Sequence, residues 1–253
     1  MTLLESRQTL GGRASSFQDA DTGDIIDNCQ HVTMGCCTEL ARFCSQNGLS
    51  EMLRKQRTLY FADEAGRISK LPIDPLPSPL HLTRAFARMG FLTYAERMRV
   101  AWGMLRLFST RNYNRGSFLN WLQENRQNQR TIDRFWSVVL ISALNETLDR
   151  IEFRYARQVI IEGFLANHKA PVIEIPDVPL GDLYGAKLKS TLEHRGVDFH
   201  INTSVAELQF ASGQVAAIRC RSGENFTADH YVLAVPPQRV LDLISSDEIR
   251  ARM

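Results

Sequence analysis

Glu5, Arg7, Gly11, Gly12 and Arg13 are the residues of this 253-residue chain whose types and spacing most directly offer chemistry. They follow the apolar run Met1-Thr2-Leu3-Leu4, which is of strand type, and occupy the loop that leaves it. An acid at the end of a parallel strand accepts hydrogen bonds from ribose hydroxyls. Glycines let backbone N–H groups come close to phosphate, and a guanidinium grips phosphate with two parallel hydrogen bonds. The set is that of a dinucleotide site. A Gly-x-Gly-x-x-Gly phosphate turn normally lies about 20 residues before such an acid, whereas four residues precede Glu5 here. Alone, Glu5 would be a surface carboxylate and the glycines simple turn punctuation. The company of Arg7, Gly11-Gly12 and Arg13 turns the reading toward a ribose ligand.

The elements that must position this loop read as a nucleotide-binding part split in sequence. Strand, glycine loop and a second short strand near Asp24-Ile25-Ile26 lead to a helix over 38–47, stopped by Gly48. A hairpin is expected where 58–61 and 68–71 flank Asp63-Glu64-Ala65-Gly66, before a proline-punctuated loop. The middle third is helical. Ile132, Phe135, Trp136, Val139, Leu140, Ala143 and Leu144 recur at helical spacing and form one face, with Thr131 as the expected cap. That face reads as core, with a substrate wall as the alternative. Beyond Pro171, Pro176 and Pro179, a helix bearing Leu180, Leu183, Tyr184, Leu188 and Leu192 ends at Gly196. Short strands are expected at 197–201, 206–210, 215–220 and 230–235. The expectation is an α/β fold in three stretches: 1–57 nucleotide-binding, 58–178 mainly helical and substrate-binding, 179–253 nucleotide-binding again.

Composition narrows the function classes. With 44% hydrophobic and 23% charged residues, the chain has the makings of one large core or two moderate ones and no disordered bias. A formal net charge of +2 is too mild to imply nucleic acid, and no aromatic-and-basic module of that kind is present. The cysteines, Cys29, Cys36, Cys37, Cys44 and Cys220, lack zinc-type C-x-x-C pairing. No basic-plus-apolar leader opens the sequence, so reduced thiols in a cytoplasm are expected. No apolar stretch reaches the roughly 18 residues that span a bilayer.

Longer stretches carry a resemblance. Leu3-Leu4-Glu5-Ser6-Arg7 followed by Leu10-Gly11-Gly12-Arg13 resembles the "LLE-x-R…GGR" segment of flavin enzymes of the amine oxidase and phytoene desaturase superfamily. Asp27-Asn28-Cys29-Gln30-His31-Val32 with Gly35 resembles the "DNGQHV…G" stretch of its squalene-associated FAD-dependent desaturases, the hydroxysqualene dehydroxylases. Phe135-Trp136 with Ala143-Leu144-Asn145, and the run Ala228 to Pro237, resemble further segments in the expected order. Cys29 stands where that family has glycine, and the initial Gly-rich loop and final flavin-contacting segment are absent, so the chain resembles the interior of a longer flavoprotein.

The resemblance implies an FAD-binding Rossmann-like domain interrupted by a helical substrate domain, with the first βα unit missing. It implies that Arg7, Gly11, Gly12 and Arg13 lie along the FAD diphosphate and that the backbone at Val205 holds the adenine. It also implies that Gln30 and His31 pass beside the flavin, where a histidine titrating near neutral pH can serve catalysis; a structural hydrogen bond is the plainer role for His31. The implied reaction is reductive dehydroxylation of hydroxysqualene to squalene for hopanoid synthesis. A carotenoid-type desaturase, an amine oxidase and a non-catalytic fragment stand as alternatives.

One segment is left over. Between Arg84 and Arg115 there are seven arginines against one acid, Glu96, interleaved with Phe86, Phe91, Met98, Trp102, Leu105 and Phe108. A basic, aromatic-rich amphipathic helix suits peripheral docking on an anionic membrane, here the inner face, while a solvated outer face is the alternative.

Overall fold

The computed structural model describes residues 1–63, 65–113 and 115–244. It is a mixed α and β architecture. In chain order come β1 (Thr2–Leu4), β2 (Ser16–Gln18), β3 (Ile25–Asp27), β4 (Thr33–Met34), α1 (Thr38–Gln46), β5 (Leu53–Gln56), β6 (Thr58–Ala62) and β7 (Ile68–Pro72). Helices follow: α2 (Thr83–Ala87), α3 (Tyr94–Ser109), α4 (Phe118–Glu124), α5 (Gln129–Thr131), α6 (Ser137–Leu144) and α7 (Phe153–Ile160). Then come β8 (Ile173–Pro176), α8 (Leu188–Glu193), β9 (Asp198–His200), β10 (Val205–Ala211), β11 (Gln214–Cys220), β12 (Asn225–Phe226) and α9 (Pro237–Leu243). π-helical turns, Ile132–Trp136 and Gly181–Lys187, join α5 to α6 and lead into α8.

The chain folds as two compact units. One comprises Met1–His31, Asn47–Met52 and the described residues from Pro176 onward; the other comprises Val32–Gln46 and Leu53–Ile175. Residues 32–46 and 53–57, grouped with the nucleotide-binding stretch in sequence, therefore fold with the helical unit. The cause is a three-stranded sheet in the order β4-β8-β5, which draws both segments onto β8.

In the first unit β1 pairs with β9 in parallel, Leu3 opposite Phe199, while β2 with β3 and β10-β11-β12 are antiparallel. The expected strand at 230–235 does not form. Among the described residues this apolar run finds no neighbouring strand, and Val232 is 90% exposed. A side chain tethers it instead: the Tyr231 hydroxyl donates to the Ala216 carbonyl at 3.0 Å and accepts from the Ala228 N–H.

The second unit is built on a helical core in which Phe118, Trp121, Trp136, Phe153 and Leu140 are fully enclosed. The expected hairpin forms as β6 and β7, with Leu59 opposite Leu71. Thr131 is not the cap of the helical run 129–144. Asn128, with extended backbone, caps it by accepting the Thr131 N–H at 2.9 Å, and Thr131 lies one turn inside. Helix α3 opens with a capping box in which Thr93 and Glu96 exchange hydrogen bonds, and Arg130 neutralises the buried Glu96 carboxylate.

His81 should give this unit a pH-dependent stability. Its ring is fully buried, and neither nitrogen has a hydrogen-bond partner of good geometry. Burial pushes the imidazole below its ordinary value of 6.5, the main chain at Phe164 opposes this, and His168 adds to the lowering. With the folded value below the unfolded one, the unfolded chain binds more protons between the two. Stability is thus full above about 6.5 and declines as pH falls toward the folded value, then levels off. Urea unfolding from about pH 8 to about pH 5 should show that decline. His81→Leu should flatten it while holding stability at the upper end, since it removes two unsatisfied polar atoms.

Candidate functional site

The parallel ladder of β1 and β9 continues past both strands. The Glu5 N–H donates to the His200 carbonyl (2.9 Å), Thr203 N–H to the Glu5 carbonyl (2.8 Å) and Asn202 N–H to the Arg7 carbonyl (3.0 Å). These bonds fix Glu5 through Arg7 at the carboxyl end of a parallel pair, where nucleotide ligands bind in open α/β sheets. The Glu5 carboxylate is aimed by its own turn: Oε1 accepts the Arg7 N–H at 2.8 Å and the Ser6 hydroxyl at 3.2 Å.

The glycine loop folds back on this acid. Arg7 Nη1 donates to the Gly12 carbonyl at 3.4 Å, which also accepts the Ser15 hydroxyl at 3.0 Å. The Ala14 N–H closes a tight turn onto the Gly11 carbonyl at 2.9 Å. Glycine is required at 11: φ is +102° and an added Cβ would lie 2.4 Å from the Ala14 oxygen. At Gly12 φ is +57° and the space around an added Cβ is open, so backbone N–H groups there are accessible to a phosphate.

The remaining expected residues attach to this loop by steps. Arg13 is exposed, and its carbonyl accepts Asn28 Nδ2 at 3.2 Å while the Asn28 N–H donates to the Ser15 carbonyl. Asn28 thereby moors the segment carrying Gln30, which is exposed, and His31, which is half-buried. His31 Nδ1 lies 2.8 Å from the Cys29 carbonyl. Such a bond places the proton on Nδ1 and leaves Nε2 as the acceptor. Val205 begins β10 opposite Cys220, two residues after the Thr203 that binds Glu5. Glu5, Arg7, Gly11 and Gly12 thus form one constellation; Arg13, Gln30 and His31 join it through Asn28, and Val205 through Thr203.

Sequence reasoning gave no role to Ser16 and read Asp27 only as the first residue of the Asp27-Asn28-Cys29-Gln30-His31 stretch. Ser16 Oγ donates to Asp27 Oδ1 at 2.7 Å; Asp27 Oδ1 also accepts the Leu180 N–H, and Ser16 Oγ the Gly181 N–H. Together they satisfy the first donors of the 181–193 helical run, which would otherwise be orphaned. Tyr184 and Leu188 of that run, with Leu3, Glu5, Gly11 and Phe199, line a half-open cleft of about 360 Å³. The acid three residues before Gln30 was visible, but its partner lies 153 positions away. All five cysteines are free, and burial together with Cys37 pushes the Cys36 thiol up to about 11. Among the described residues no group of three or more His, Cys, Asp or Glu is arranged to hold a metal ion.

Comparison with known proteins points to a flavoprotein family. The sequence profile of the flavin containing amine oxidoreductases matches residues 1–251. The chain belongs to that family. The chloroplastic 15-cis-phytoene desaturase of Glycine max is 23% identical over 256 residues, covering 97% of this chain and 44% of its own length. That of Narcissus pseudonarcissus is 32% identical over 108 residues, 41% of this chain and 19% of its own. The chain therefore spans less than half the length of these relatives. Among solved structures, an oxidoreductase from Methanosarcina mazei aligns with a TM-score of 0.73 at 16% identity, covering 99% of this chain and 57% of that one. Putrescine oxidase with bound putrescine aligns at 0.62 and 14% identity, over 95% and 53%. The fold is that of the FAD-dependent amine oxidases, and FAD is the cofactor. The β1 end suits that group: a carboxylate matches ribose hydroxyls, and a cation beside open glycine backbone matches a diphosphate.

Proposed function

We propose that the protein is an FAD-dependent oxidoreductase acting on a polyisoprenoid, by reductive dehydroxylation of hydroxysqualene to squalene. The observation that carries the flavin half is the constellation at the end of β1, with Glu5 aimed by its own turn and Arg7 bonded back to Gly12. The substrate half rests on the Asn28-Cys29-Gln30-His31 segment moored to that loop and on its resemblance to the squalene-associated enzymes. Bound FAD would supply the hydride chemistry. The chain's own residues then have these roles: Glu5 holds the ribose, Arg7 and Arg13 balance the diphosphate, and His31 holds or delivers a proton at Nε2 for a leaving hydroxyl. A carotenoid-type desaturase is the second reading, supported by the phytoene desaturase relatives.

Two measurements test this. With reduced FAD, the protein should convert hydroxysqualene to squalene; turnover of phytoene with no dehydroxylation would select the second reading, and turnover of polyamines alone would reject both. Separately, Glu5→Ala should weaken FAD binding about 10- to 100-fold in a flavin-fluorescence titration, the loss expected for a charge-assisted hydrogen bond. Unchanged affinity would return Glu5 to a plain surface carboxylate.

A further inference from the structure

Helix α3 has two apolar faces and one of them is bare. Val100, Gly103 and Leu107 are buried with Glu96 on the inner face. On the opposite face, at helical spacing, Tyr94 is 73% exposed, Met98 54%, Trp102 48%, Leu105 64% and Phe108 45%. At 100° per residue these five fall in one stripe centred opposite the buried face, with Arg99 and Arg106 along one edge and Arg97 along the other. The flanking arginines are held in place. Arg97 donates to the Ala87 carbonyl, Arg99 to the Arg126 carbonyl (3.0 Å) and Arg106 to Asn125 Oδ1 (3.1 Å), with its guanidinium 6.0 Å from the Trp102 ring. Arg84, Arg88 and Arg111 are exposed nearby in sequence.

From this arrangement we infer that the outer face of α3 docks on an anionic lipid surface. The stripe runs along a 16-residue helix about 24 Å long and is convex, so it has no groove to grip a peptide. A membrane interface receives such a ridge edgeways, with aromatic rings at headgroup depth and arginines beside the phosphates. Charge separates this partner from a second copy of the chain. Two stripes facing each other would bring arginine edges together, and the one acid of 84–115, Glu96, is buried beneath the helix. Among the described residues no helix is long and apolar enough to cross a membrane; the contact inferred here is this one surface. The inference rests on this helix and is independent of the proposed substrate.

Tryptophan fluorescence of the full chain tests it. Of the three tryptophans, Trp121 and Trp136 are enclosed and Trp102 alone is exposed, so a change of environment reports this face. With vesicles of phosphatidylglycerol and phosphatidylcholine the emission should shift to the blue and the protein should co-sediment. Vesicles of phosphatidylcholine alone should bind far less. Raising salt from about 0.01 M to about 1 M, which shortens the screening length from about 30 Å to about 3 Å, should release it. Met98→Glu with Leu105→Glu should abolish binding at unchanged circular dichroism. Arg84→Gln, Arg88→Gln and Arg111→Gln together should weaken it roughly 100-fold. Trp102→Phe should erase the spectral shift while co-sedimentation persists. Vesicle binding that survives Met98→Glu/Leu105→Glu, absence of binding to anionic vesicles, or self-association abolished by that same variant would each overturn the inference.

Discussion

Trp136→Ala should lower the unfolding free energy by about 3–5 kcal/mol, the range for emptying a large aromatic site in a packed core. The side chain is fully buried, stands edge-on to Phe118 and Phe135, and donates from Nε1 to Gln127 Oε1 at 2.9 Å. Gln127 in turn donates to the Arg99 and Asn125 carbonyls, so one indole ties the 129–144 run to α3 and to the turn after α4. The fit is close enough that a Cβ added at Gly103 would lie 2.8 Å from the indole. Trp136→Phe keeps most of the volume but leaves Gln127 Oε1 buried and unpaired, a cost of about 1–3 kcal/mol. Urea unfolding followed by far-ultraviolet circular dichroism separates the two. A loss below about 1 kcal/mol for the alanine variant would mean that the cavity collapses freely. This enclosure also decides between the two readings of the stripe: Trp136 is core and not a substrate wall.

How far the chain is legible in sequence depends on the range of the forces at each position. Glu5 and the glycine loop were readable because their partners lie within a few residues: Arg7 N–H, Gly12 and Ala14 are all local. The helical face from Ile132 to Leu140 was readable for the same reason, since burial at period 3.6 is a local pattern. It failed at Ala143, which is exposed. Val139 and Leu140, which follow the π-helical turn Ile132–Trp136, keep the expected face, whereas Ala143 lies in the last turn of α6, just before the left-handed Asn145 that ends it. The run at 230–235 has the composition of a buried parallel strand, yet composition names no neighbour, and pairing is a property of two segments. Ser16 and Asp27 were illegible because a helix start distant in sequence defines their work. Likewise the arginine-rich segment showed charge and aromatics, while only the fold reveals that the aromatics of α3 lie on its outer side. Apart from Ala143, at a helix end, what decides each failure is a partner or a surface remote in sequence.

Gly35→Ala should cost about 3 kcal/mol or more, at the upper end of single substitutions, for a reason that is steric and not conformational. Gly35 has no left-handed φ, but a Cβ there would stand 2.0 Å from the Lys169 carbonyl oxygen and 2.9 Å from its carbon. Both are backbone atoms, so no side-chain rotation relieves the overlap. The opposing turn cannot easily retreat: Lys169 N–H is held by Asn167 Oδ1, Ala170 N–H by the Asn167 carbonyl, and Ala170 and Val172 are buried. Relief requires β4 to leave β8, breaking the Gly35 N–H bond to the Val172 carbonyl (2.8 Å) and the Met34–Ile173 pairing. Gly35→Ser should fail to the same degree, because the collision is with Cβ. Gly48→Ala is the contrasting case: φ is +67° with nothing within 4 Å of the added carbon, so only left-handed strain of about 1 kcal/mol is expected. Urea unfolding of the three variants should rank Gly35→Ala and Gly35→Ser well below Gly48→Ala. The reverse order would show that β4 approaches the 167–172 turn less closely than its hydrogen bonds require.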